Sequence, residues 1–163
     1  MNPEQFISLI IKPTLKKLAE YNPAMLSQEA ADLLLCTAAH ESHLGEYIKQ
    51  VNGPALGVYQ IEPATNKSLW DDFILVPSRR NFAQMMYSEL PTSSKYPYAD
   101  QLMTNLTYQT IMARLKYWIA PEPIPKLGLH SLADYWGKYY QSTSDPAKIE
   151  KFIKDAKIYA KYN

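Results

Sequence analysis

Ser27-Gln28-Glu29-Ala30-Ala31-Asp32-Leu33-Leu34-Leu35-Cys36-Thr37-Ala38-Ala39-His40-Glu41-Ser42-His43-Leu44-Gly45 is the stretch on which the fold turns. Ser27 with Glu29 is a helix start, because a serine oxygen accepts from the first free backbone N–H groups and an acidic side chain suits the first turn. Ala30, Ala31, Leu33, Leu34, Leu35, Ala38 and Ala39 then make the helix apolar on nearly all sides, the pattern of a central, buried helix. Cys36 lies inside it and reads as a small core residue. The helix reaches His40-Glu41-Ser42-His43 just before Gly45, so a carboxylate stands at the end of an apolar element.

The flanking sequence is helical in its spacing nearly throughout. Asn2-Pro3 opens a helix with Phe6, Leu9, Ile10, Leu15 and Leu18 on one side, which Pro13 is expected to kink or restart. Asn52-Gly53-Pro54-Ala55-Leu56-Gly57 is the strongest turn signal in the chain. Val58-Tyr59-Gln60-Ile61 follows as the one candidate for a short extended piece, and Pro63 can open a helix toward Trp70. Residues 78–90 read as a helix, and residues 100–119 as the longest periodic run. Pro121-Glu122-Pro123-Ile124-Pro125 must be an extended connection. Ser131 with Asp134 resembles a capping box for a helix over residues 132–140, and Asp145-Pro146 opens the last helix, with Ile149, Phe152, Ile153 and Ala156 inward. The expectation is a single all-α domain over residues 1–163.

Composition narrows the function. The 163 residues suffice for one domain, and Lys plus Arg (17) nearly balance Asp plus Glu (16), which argues against a nucleic-acid partner. The longest apolar runs fall far short of the ~20 residues of a membrane span. Met1-Asn2-Pro3-Glu4-Gln5-Phe6 has no positive opening and does not read as a secretory signal. Five glycines disfavour a phosphate-binding glycine loop, and a single cysteine excludes an internal disulfide. His40 and His43 are three apart, but His-Glu-Ser-His lacks the metalloprotease spacing, so neither a metal nor a cofactor is expected. Thirteen tyrosines and three tryptophans suit sugar stacking, although aromatic residues at helical spacing are more often core. Arg79-Arg80 reads as a solvated helix start.

Glu41-Ser42, then Gly57-Val58-Tyr59-Gln60-Ile61-Glu62-Pro63-Ala64-Thr65, resembles the signature of the soluble lytic transglycosylase and goose-type lysozyme family. There a Glu-Ser pair ends a buried helix and a Gly-Leu-Met-Gln-Ile-Met-Pro-x-Thr segment follows some twenty residues later. Asn105-Leu106 to Leu115-Lys116-Tyr117-Trp118, and Leu132-Ala133-Asp134-Tyr135-Trp136, match two further family helices in order. Small proteins of tailed bacteriophages carry similar segments. The resemblance covers roughly residues 27–140.

This resemblance implies a lysozyme-like helical domain acting on the β-1,4 glycan strands of peptidoglycan, delivered to the wall by a virion or at lysis, with other virion proteins as further partners. Glu41 is then the general acid and base, and the sugar's own acetamido group replaces an enzyme nucleophile. Gln60 orients the sugar, Gly57 gives the backbone room beside it, and Ser42 and Tyr59 flank these positions. Tyr135 occupies the place of the tyrosine whose hydroxyl approaches the glutamate. Three positions depart from the family: Trp136 stands for an asparagine, Tyr59 for a methionine and Gln50 for a serine. Two other outcomes are a virion structural protein on the same scaffold without turnover, and a hydrolysing lysozyme in which Asp71 or Asp72 positions water opposite Glu41.

Overall fold

A computed structural model describes residues 1–162. The elements are α1 (Pro3–Gln5), α2 (Lys12–Tyr21), α3 (Gln28–Ser42), α4 (Pro63–Leu69), α5 (Arg80–Ser88), α6 (Gln101–Thr104), α7 (Leu106–Trp118), α8 (Leu129–Trp136) and α9 (Pro146–Tyr159). Among the described residues there is no strand, only two isolated bridges, Lys49 with Leu56 and Leu56 with Ile61. The protein is all-α. No described helix is long and apolar enough to cross a membrane.

α3 is the axis. Ala30, Ala31, Leu33, Leu34, Cys36, Thr37, Ala38 and Ala39 are all essentially inaccessible to solvent. Burial of each leucine side chain contributes about 2 kcal/mol. The helix packs on α9 above all, and also on α7, α8 and the chain between α1 and α2. Its start is capped by Ser27, which accepts from the Ala30 N–H at 3.0 Å.

Local chemistry explains the other boundaries. Proline at the first helical position opens α1, α4 and α9, and the Asp145 side chain caps α9 by accepting from Ala147 N–H. The run over residues 100–119 is two helices, not one. Asn105 has extended dihedrals and its side chain accepts from Tyr108 N–H, ending α6 and starting α7. Ser131 is not a cap: α8 already begins at Leu129, behind Gly128 with its φ of 86°. Residues 6–11 form a π-helical stretch that ends where α2 restarts beside Pro13. The wider turn rotates the register, so Leu9, inward by regular helical spacing, is 66% exposed while Ile11 is buried.

Val58-Tyr59-Gln60-Ile61 is a turn rather than an extended piece. Leu56 and Ile61 exchange backbone hydrogen bonds at 3.0 Å around residues 57–60, and both Gly57 (φ 78°) and Gln60 (φ 46°) lie in the left-handed region. Gly57 is fixed by packing as well. A Cβ there would meet the Leu102 carbonyl oxygen at 1.9 Å and Gln109 Oε1 at 2.5 Å. Gly57→Ala should therefore destabilise the protein by about 2–3 kcal/mol, combining a disfavoured backbone angle with overpacking. Urea unfolding of the two proteins measures this, and an unchanged midpoint would refute the packing account.

Candidate active site

The last turn of α3 carries Glu41. The helix ends in a left-handed residue, His43 (φ 50°), whose N–H returns to the Ala38 carbonyl, as does that of Leu44. Ser42 then joins two distant segments. Its buried hydroxyl donates to the Val58 carbonyl at 2.7 Å and accepts from the Gly45 N–H at 2.9 Å. On the other side of the turn, Gln109 of α7 accepts from Val58 N–H at 2.7 Å, and the Tyr140 hydroxyl donates to the Tyr59 carbonyl at 2.6 Å. The turn over residues 57–60 is thus held against α3, α7 and the segment after α8.

Between these parts lies a cleft of about 430 Å³ lined by His40, Glu41, Tyr47, Gln50, Ala55, Gln60, Glu62, Trp136, Gln141, Lys148 and Lys151. That volume is within the range of small-molecule sites. Glu41 is partly buried there. Its Oε1 accepts from Trp136 Nε1 and from Gln141 Nε2, each at 3.0 Å. Oε2 has no protein partner among the described residues. Burial pushes the Glu41 carboxyl above the ordinary glutamate range, opposed first by the Gln141 hydrogen bond, then by Trp136, and then by the charges of Lys116 and Lys151. The two donors also choose the protonated oxygen. An acid accepts through its carbonyl oxygen, so with both donors on Oε1 the proton sits on Oε2.

Trp136 is itself held in place. Phe152 stacks on it at 4.8 Å and the His40 ring meets it edge-on at 4.6 Å. His40 Nδ1 lies 2.8 Å from Asp155 Oδ2, and Asp155 also pairs with Lys151. Burial pulls the His40 pKa down, against the pull of Asp155.

The structure brings together only part of the set expected from sequence. Glu41 and Gln60 share the cleft. The Gln60 amide nitrogen donates to the Gly57 carbonyl at 2.8 Å, and its left-handed backbone angle is a strained conformation of the kind found at ligand sites. Ser42 and Tyr59 are fully buried and do not line the cleft; Tyr59 is a core residue whose hydroxyl meets Thr110 at 3.3 Å. Gly57 backs onto Leu102 and Gln109 rather than opening toward a substrate. The Tyr135 hydroxyl donates to the Glu122 carbonyl at 2.8 Å, and the contact with Glu41 comes from the next residue, Trp136. One position along a helix rotates a side chain by about 100°, which is why the neighbour reaches the carboxylate. Tyr140 is core, while Tyr139 lines a separate cavity together with Asp72. Asp71 is engaged by Lys67 and Tyr96, so the carboxylate that accompanies Glu41 is Glu62 and neither Asp71 nor Asp72.

His40 and His43 have different partners: His40 meets Asp155, whereas His43 stacks on Tyr159 at 4.1 Å and lies 3.0 Å from Glu46. Among the described residues no cluster of three His, Cys, Asp or Glu side chains is arranged to hold an ion. The sequence signals missed Trp136, which read as a departure, and Gln141, which lies a hundred residues from Glu41 and carries no local motif. No family model, no curated protein and no solved structure matches the chain.

A carboxyl with a raised pKa costs stability once it must ionise. Below its unfolded-state pKa both states are protonated. As pH rises toward the folded-state pKa only the unfolded chain loses its proton, so stability falls. Glu41→Gln keeps an acceptor for both donors and removes this cost. Its melting-temperature advantage over the parent protein should be small in acid and grow toward neutral pH. An advantage that shrinks as pH rises would contradict the raised pKa.

Proposed function

We propose that this protein cleaves the β-1,4-linked glycan of peptidoglycan with Glu41 as the sole acid–base residue, in the manner of a lytic transglycosylase. The observation that carries this reading is the Glu41 carboxyl in its cleft, raised in pKa by burial and gripped on Oε1 by two neutral donors, with Oε2 left for a ligand. The tie from Ser42 to Val58 supports it, because it brings the Glu-Ser pair and the Gln60 turn into one site. In the first step Oε2–H protonates the glycosidic oxygen and the bond to the anomeric carbon breaks, while the sugar's acetamido oxygen bonds that carbon. In the second step the Glu41 carboxylate takes a proton from the 6-hydroxyl of the same sugar. That oxygen then bonds the anomeric carbon as the acetamido oxygen leaves, giving a 1,6-anhydro end. Access to the wall through a virion or at lysis belongs to the same reading.

Glu62 in the cleft favours a second outcome, hydrolysis, in which water replaces the 6-hydroxyl. Digestion of purified peptidoglycan followed by mass analysis of the products separates anhydro ends from reducing ends. Glu41→Gln should keep the fold and lose nearly all cleavage. A variant that still cleaves, or a parent protein that releases nothing, would sink the proposal.

Trp136→Phe keeps an aromatic side chain and removes one donor that favours the ionised carboxylate. The alkaline limb of the kcat/KM profile, which reports the acid form of Glu41, should move to higher pH. The rate at the optimum should fall about tenfold, the worth of one hydrogen bond to a charged group. A limb that moves to lower pH would contradict the assigned role of the indole N–H.

A further inference from the structure

Arg114, in the middle of α7, is a buried cation without a carboxylate. It is 4% exposed. Among the described residues none of the ion pairs includes it. Its Nε donates to the Met25 carbonyl at 3.0 Å, and its guanidinium carbon lies 5.1 Å from the Trp118 ring centre. The terminal nitrogens have no protein partner among the described residues. Burial lowers its pKa to about 10, opposed only by Tyr135.

Arg114 lines a cavity of about 370 Å³ that shares no residue with the Glu41 cleft. Two carboxylates border this cavity and both are otherwise engaged. Glu122 pairs with Lys138 at 2.7 Å, and Glu29 is held by Ser27 and by its own backbone N–H at the start of α3. Lys126 also lines the cavity, its charge acting on Glu29, and Tyr117, Trp118, Tyr135 and Ile124 give it aromatic and apolar wall.

We propose that this cavity binds a small organic monocarboxylate, taken in two-pronged fashion by the terminal nitrogens of Arg114, with its apolar body against Trp118 and Tyr135. The planar fork of a guanidinium matches a carboxylate in this way, and Arg is favoured over Lys where such pairing is needed. With the charge of Lys126 acting on Glu29, one negative charge balances Arg114, the lining cation that no carboxylate offsets. A phosphate dianion would face Glu29 and Glu122 across the same cavity, which disfavours it.

The test is an NMR titration of the full chain, following the Arg114 Nε–H and the Trp118 indole N–H. The probes are N-acetylalanine, its uncharged amide N-acetylalaninamide, and inorganic phosphate. The acid should give saturable shifts at both groups, the amide none, and phosphate weaker binding than the acid. Arg114→Lys keeps the charge and loses the fork, so in a folded variant the acid should bind about tenfold more weakly or worse. If that variant does not fold, the titration of the parent protein decides alone. Equal binding of acid and amide, tighter binding of phosphate, no saturable shift, or undiminished binding by a folded Arg114→Lys would each overturn the proposal.

Discussion

The Ser42 hydroxyl, donating to the Val58 carbonyl at 2.7 Å, is the contact on which the cleft depends. It is fully buried, so removing it would leave a carbonyl without a partner in the core, a cost that exceeds the net worth of the bond. Through it the end of an apolar helix and a tight turn sixteen residues away become one rigid unit. Gln109 and Tyr140 hold the far side of that turn from α7 and from the segment following α8. Glu41 and Gln60 are adjacent to these anchors on either side. Their relative placement is therefore set by buried hydrogen bonds rather than by exposed loops.

The chemistry of the cleft follows from two opposed effects on one carboxyl. Burial disfavours the charge and dominates. The indole N–H of Trp136 and the amide of Gln141 favour it, and so partly restore the ability to ionise. A carboxyl with a raised pKa, yet supported when it loses its proton, suits a residue that must give and then recover a proton. Neutral donors do most of this, and the charges of Lys116 and Lys151 contribute less. His40 and Phe152 confine Trp136 on two sides, and Asp155 with Lys151 holds His40. The orientation of Glu41 thus rests on α8 and α9, elements far from it in sequence.

How much of this was legible in the sequence differs by residue. α3 was legible in full, because its cap, its apolar surface and its terminal glutamate are local signals. The proline-led starts of α1, α4 and α9 were legible for the same reason. Leu9 was misplaced because a π turn leaves no mark in apolar spacing. The break at Asn105 was hidden in the apolar spacing, although the family resemblance begins a helix at Asn105-Leu106. Within the site, Glu41 and Gln60 stood out by type and spacing. Trp136 and Gln141 did not, since their contact with Glu41 arises from tertiary packing and from a one-residue difference in helix register relative to Tyr135. Gly57 was noticed as a glycine but for the wrong neighbour: the space it leaves is filled by Leu102 and Gln109.

The central claim is that Glu41 is a carboxyl whose proton is retained by burial and positioned by Trp136 and Gln141. Its own titration tests this most directly. With the glutamate side-chain carboxyl carbons labelled, the Glu41 resonance can be followed by NMR from acid to mildly alkaline pH. The account predicts a midpoint clearly above the ordinary glutamate value of about 4.3. A midpoint at or below that value would contradict it.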